Sequence, residues 1–142
     1  MIMTQNDKDL KELLLKDLCA RLPYGVKVKF NNIHILRLGT HTRVGEYVTD
    51  VIEPCKPYLF PLSSMTEEQF VELKVFADLT YEGNTLELIE WNDNCKTLEF
   101  WLEEIPSYEL IKVFDWLNKN HFDYRGLIEK GLAIDCTNLN IY

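Results

Sequence analysis

Long apolar runs are missing from this chain. Nowhere in its 142 residues does an uncharged hydrophobic stretch approach the roughly 20 residues that a membrane-spanning helix needs. The N-terminus, MIMTQNDKDLKELLLKD, is too densely charged for the apolar core of a signal peptide, so a cytoplasmic location is expected and no membrane partner. The six glycines form neither GxGxxG nor a P-loop, which leaves nucleotide binding without support. No GxSxG or comparable nucleophile motif is present. Four cysteines, at 19, 55, 95 and 136, make no CxxC, and His34, His41 and His121 make no HxH or HxxxH. Structural zinc sites usually draw their ligands from close-spaced pairs, so the cysteines are expected to be reduced thiols, buried or half-buried. No metal, no cofactor and no catalytic residue is expected on these grounds.

What the chain does have is material for a core. An apolar fraction of 46% with 17 aromatic residues excludes intrinsic disorder, and the length fits a single domain over 1–142. The net charge of −8 is unevenly placed: residues 1–62 carry 9 Lys/Arg against 7 Asp/Glu, residues 63–142 carry 6 against 16. Between Glu82 and Glu109 eight acidic residues meet one base, Lys96. Nucleic-acid binding needs cations that displace counterions, so nucleic acid is an unlikely partner for the C-terminal half. An acidic field suits a basic protein partner, and it also serves plain solubility.

Periodicity organises the rest. Leu10, Leu14 and Leu18 predict an amphipathic helix over 7–21, with Asn6 as N-cap and Pro23 and Gly25 as its stop. Val26, Val28 and Phe30 alternate with Lys27 and Lys29, the pattern of a half-buried strand. It is followed by a turn at Asn31-Asn32, a return strand through Ile35, and a third strand at 46–52. With prolines at 54, 57 and 61, the next stretch reads as an extended surface connector with an edge strand at Tyr58–Phe60. Thr66 and Gln69 stand in capping-box spacing, with Met65 and Phe70 as a hydrophobic staple, and start a second helix running to about Leu79. Its apolar residues, Val71, Val75 and Phe76 included, spread around the cylinder and predict burial between layers. An acidic hairpin is expected next, turning at Asn92-Asp93-Asn94, with Trp91 and Trp101 on one face beside Glu87 and Glu99. The last helix opens at Pro106-Ser107 and buries Leu110, Val113, Phe114 and Leu117. Trp116 lies roughly 120° from that stripe, off the core direction. Asp123 is expected to cap a short helical piece, Tyr124–Lys130, that Gly131 ends.

The segment from Trp116 to Ile134 concentrates chemistry: His121, Asp123, Tyr124 and Arg125 lie within five residues. A carboxylate can orient an imidazole and an arginine can bind an anion, but catalysis would need a nucleophile or metal from elsewhere. The bland alternative is a packed turn in which Asp123 caps and Arg125 pairs with a carboxylate. If the protein has a recognition surface, capping and stripe analysis leaves Trp116, His121, Tyr124 and Arg125 as its candidate binding residues.

Three strings, LCARLPYGVKV (18–28), KPYLFPLSSMTEEQ (56–69) and NHFDYRGLIEKGLAI (120–134), cover 40 of the 142 residues and are spread along the chain. Together they resemble an uncharacterised group of short proteins from phages, prophages and mobile elements of gut anaerobic bacteria. The resemblance implies a bacterial or phage context; it brings no activity, cofactor or catalytic residue with it. The long acidic stretch at 82–104 departs from the group.

The sequence therefore predicts an α+β fold: a small antiparallel sheet, made of the N-terminal meander plus the acidic hairpin, packed with three main helices. The function expected is that of a non-enzymatic interaction or accessory protein with an unknown protein partner, a basic one being what the acidic half suits. Two alternatives stay open. One is a small metal-dependent hydrolase or nuclease assembled from dispersed His and carboxylates. The other is a weak nucleic-acid-binding module using Lys27, Lys29, Arg37 and Arg43 of the meander.

Overall fold

A computed structural model describes residues 4–30, 34–43, 55–76 and 107–142, with only the backbone described at 34 and 107–110. Within these residues the fold is α+β, with three helices packed against strands of a mixed sheet. The helices are α1 (Gln5–Arg21), α2 (Glu67–Phe76) and α3 (Ser107–Lys119). The strands are β1 (Lys27–Phe30), β2 (His34–Arg37), β3 (Lys56–Pro61), β4 (Phe122–Asp123) and β5 (Ile134–Asp135). The predicted strand at 46–52, the Asn31-Asn32 turn, the end of the second helix and the acidic hairpin lie outside the described residues. The chain divides into two compact units, Met1–Leu59 with Arg125–Tyr142, and Phe60–Tyr124.

In the first unit, α1 begins two residues earlier than the sequence suggests. Thr4, not Asn6, is the N-cap: its hydroxyl accepts from the Asp7 N–H at 3.1 Å while the Asp7 carboxylate accepts from the Thr4 N–H at 3.1 Å. That reciprocal pair satisfies two orphan donors at once, which a lone Asn6 cannot do. The helix ends where Leu22–Tyr24 tightens into a 3-10 turn and Gly25 takes up φ +66, a left-handed conformation natural to glycine. β1 then pairs antiparallel with β2, Lys27 opposite Arg37 and Lys29 opposite Ile35. Leu14 and Leu18 of α1 pack with Val26, Val28, Leu38, Cys55, Leu59, Leu127, Leu132 and Ala133 into one aliphatic core.

The strand predicted at Tyr58–Phe60 is present but longer, Lys56–Pro61, and it is paired on both sides instead of lying at an edge. β3 pairs antiparallel with β1, Val28 opposite Pro57, and parallel with β5, Tyr58 opposite Ile134. Pro57, Tyr58 and Leu59 are buried. Prolines remove donors only at their own positions, and the neighbours supply the ladder: the Cys136 N–H donates to the Leu59 carbonyl at 2.9 Å. The sheet is accordingly mixed, not wholly antiparallel. Its parallel partners arrive after long, helix-containing excursions of the chain, which satisfies the need of parallel pairs for a crossover.

In the second unit, Phe60 and Pro61 pair parallel with Phe122 and Asp123 of β4, and the Phe60 N–H donates to the His121 carbonyl at 2.8 Å. The capping box of α2 forms as the spacing predicts, with Thr66 N–H to Gln69 Oε1 at 2.9 Å and Gln69 N–H to Thr66 Oγ1 at 3.2 Å. Met65 and Phe70 share the core with Leu62, Leu73, Val113, Trp116, Leu117 and Phe122. α2 is not buried on several sides, however: Val71, Val75 and Phe76 are exposed, Val75 to 62%. Phe70 and Leu73 alone supply its buried face.

Candidate functional site

The four candidate residues of the Trp116–Ile134 segment do not make one exposed surface. Trp116 is 1% exposed. Its ring stacks on Phe122, centroids 5.7 Å apart and planes 11° from parallel. The helical-wheel expectation fails because the chain after α3 turns back and covers the side of the helix that the stripe leaves open. His121 makes that turn. Its backbone is left-handed, φ +62, in the C′ place where glycine is usual, and its N–H donates to the Asn118 carbonyl at 3.2 Å. Histidine tolerates this region better than most side chains, and the imidazole is buried. Tyr124 is half-buried: its hydroxyl donates to Asn118 Oδ1 at 3.0 Å and its ring lies 4.8 Å from that of Phe114. These three residues belong to the second unit and serve its packing.

Arg125 belongs to the first unit. Its Nε lies 3.3 Å from Asp17 Oδ1, with the side chain 27% exposed. Asp17 is fully buried and is also gripped by the fully buried Arg21, Nε to Oδ2 at 2.8 Å and Nη2 to Oδ1 at 3.1 Å. One carboxylate thus holds two guanidinium groups. The expectation that Asp123 caps a helix over 124–130 is not met: Asp123 lies in β4, and the segment after it is a succession of turns. Gly131 still ends the segment. At φ +73 its N–H donates to the Ile128 carbonyl, and the Leu132 N–H donates to that of Leu127, the bond pattern of a Schellman motif.

A second polar knot closes the same unit. The Tyr142 hydroxyl accepts from the Lys27 N–H at 2.8 Å and donates to the Tyr58 carbonyl at 2.9 Å, so a phenol stands in for a ladder bond beside Pro57. Lys27 Nζ donates to the Ile141 carbonyl at 2.7 Å and lies 5.7 Å from the centre of the Tyr142 ring. Burial pushes the Tyr142 phenol well above its ordinary value of 10.0. Burial likewise raises the thiols of Cys55 and Cys136 from 9.0 to about 11. These are inert, protonated thiols, as the absence of any CxxC suggests. Cys19 is exposed, and all three are free.

The remaining chemistry lies on the outer face of the sheet in the first unit. Cross-strand partners share a face, so Lys27, Lys29, Arg37, Ile35 and Lys56 project on one side, opposite buried Val28 and Pro57. Lys27 faces Arg37 and Lys29 faces Lys56, like charge against like charge, an arrangement that lowers stability. Among the described residues, Lys29, Arg37 and Lys56 have no carboxylate partner. Ile35, in their midst, is 55% exposed. The sequence offers Lys27, Lys29 and Arg37 as cations of the meander; Lys56 is missed because the strand predicted in the connector starts only at Tyr58.

Comparison with protein-family models, with curated proteins and with solved structures finds no match. Function rests on geometry alone. Among the described residues no three His, Cys, Asp or Glu side chains gather as metal ligands would. No described helix is long and apolar enough to cross a membrane.

Proposed function

We propose that this chain is a non-enzymatic binding protein whose working surface is the outer face of β1, β2 and β3, and that its partner is an acidic protein segment. The observation that carries this reading is the like-charge cross-strand register, Lys27 opposite Arg37 and Lys29 opposite Lys56, with Lys29, Arg37 and Lys56 lacking a carboxylate among the described residues. Such contacts cost stability, and a bound anion removes the cost. The sign of the partner is the reverse of the basic one that the acidic C-terminal half suggests. The phage or mobile-element setting implied by the three sequence strings accords with a small accessory protein of this kind.

A polypeptide suits the face better than nucleic acid does. Single-strand binders present aromatic rings on which bases stack, whereas the exposed apolar group between these cations is aliphatic Ile35. The net charge of −8 also opposes a long polyanion. The test is fluorescence anisotropy with a short labelled peptide alternating Glu and Leu, against a single-stranded oligonucleotide of equal charge. The peptide is expected to bind more tightly at moderate salt, and Lys29→Gln with Lys56→Gln to weaken it about tenfold, or about 1.4 kcal/mol. Preference for the oligonucleotide, or no binding of either, would overturn the reading.

A further inference from the structure

Beside β2 the first unit carries a cleft of about 300 Å³, at the small end of the range for ligand pockets. Its lining is mostly polar, from Arg37, Thr40 and backbone at Gly25 and Gly39; Leu22 and Pro23 give a smaller apolar margin, and Leu38 beneath them is buried. Arg37 reaches this place because Gly25 has no side chain. A Cβ there would lie 2.7 Å from Arg37 Nη2 and 2.9 Å from Cζ, and closer still to Nε. The left-handed Gly25 that ends the α1 turn is therefore also the surface against which the guanidinium lies. Arg37 has no carboxylate among the described residues and faces Lys27 across the strands. A planar donor fork in an open, mainly polar cleft matches a carboxylate, with Leu22 and Pro23 at the margin for an aliphatic neighbour.

We infer that this cleft is the anchor site for one carboxylate of the acidic partner, with the adjoining aliphatic side chain of that partner against Leu22 and Pro23. The assignment rests on the sheet-face reading and adds to it the residue on which affinity concentrates. Arg37 is exposed, and its advantage over Lys29 and Lys56 is the planar fork, which can hold a carboxylate through two parallel hydrogen bonds. Arg37 forks onto the carboxylate; Lys29 and Lys56 steer it in and add salt-dependent attraction.

The test is an amide and arginine-side-chain NMR titration of the full chain with acetyl-Leu-Glu-Leu-amide, its Gln counterpart and inorganic phosphate. Expected are saturable shifts at Gly25, Gly39, Thr40 and Arg37 Nε–H with the Glu peptide and none with the Gln peptide. Arg37→Gln should abolish them, and Arg37→Lys, which keeps the charge but not the fork, should weaken binding about tenfold. Shifts confined to Lys29 and Lys56 would overturn the anchor site and leave the sheet-face reading standing. Absence of saturable shifts anywhere on the face would overturn both. Equal or stronger response to phosphate would overturn the carboxylate assignment, and full binding by Arg37→Lys would overturn the role given to the fork.

Discussion

In the first unit a carboxylate with two guanidinium groups is closed into the fold, and a phenol is wedged where β1 and β3 part. In the second, the turn after the last helix is packed with rings: Trp116 stacked on Phe122, Phe122 tilted against Phe60, and Tyr124 against Phe114. The sequences of the two units differ in the same sense as their cores. The first carries 11 Lys/Arg against 9 Asp/Glu, the second 4 against 14. What the difference teaches is that acidic residues dominate the unit closed by rings, while the nearly balanced unit uses charge twice. It buries some of its charge as a lock and leaves some on its surface without a carboxylate partner among the described residues. A buried ion pair is weak evidence of raw stability, although removing one of its partners is costly; the surface cations are what the proposed binding role uses. Only the second of these uses needs a partner.

Breaking each lock is the most direct way to separate the two units. Asp17→Ala strands two guanidinium groups at a buried site and is expected to destabilise the first unit by about 3–5 kcal/mol. Hydrogen exchange should show the loss at α1, β1 and β2. Trp116→Leu, which opens a gap over Phe122, is expected to cost the second unit about 2–4 kcal/mol by the same measurement. If both substitutions loosen the two units equally, the contrast between them fails.

Alkaline pH should act on the first unit selectively. Cys55 and Cys136 have folded values near 11 against 9.0, so the native state holds protons that the unfolded chain releases. Stability from these groups is complete below pH 9 and falls as pH rises from 9 toward 11, on the order of 2 kcal/mol per thiol. Tyr142, also raised, continues the loss above pH 10. Urea unfolding followed between pH 8 and 11 checks this, and the Cys55→Ala and Cys136→Ala variants should flatten the slope. The described core of the second unit contains no thiol and should not share it. Smallest of these effects is Gly131→Ala, which forces an L side chain into φ +73 and should cost about 1–2 kcal/mol, read as a shift of the urea midpoint.

Much of the scaffold is written in local pattern. The leucine stripe of α1, the Lys/Val alternation of β1 and the reciprocal Thr66–Gln69 cap of α2 each involve residues within one or two turns, and each is found where the pattern puts it. What failed depends on chain that returns from far away. The strand at Tyr58–Phe60 was legible but its interior place was not, because two of its partners, Cys136 and the Tyr142 hydroxyl, are about 80 residues distant in sequence. Trp116 looked exposed because a helical wheel contains no Phe122. For the buried pair a local signal did exist: Leu14, Asp17, Leu18 and Arg21 stand at i, i+3, i+4 and i+7, so Asp17 and Arg21 occupy core positions of α1. Of the candidate site, the alternation exposed Lys27 and Lys29. Arg37's place against Gly25 depends on strand pairing and could not be read from spacing.

The central claim is that the cations of the sheet face are kept for binding at the expense of stability. It is tested most directly by measuring both quantities on one variant, Lys29→Gln with Lys56→Gln. Expected is unfolding free energy equal to wild type or a few tenths of a kcal/mol higher, as like-charge repulsion is relieved, together with about tenfold weaker binding of the Glu-Leu peptide. A variant that binds the peptide as tightly as wild type, or that loses stability, would contradict it.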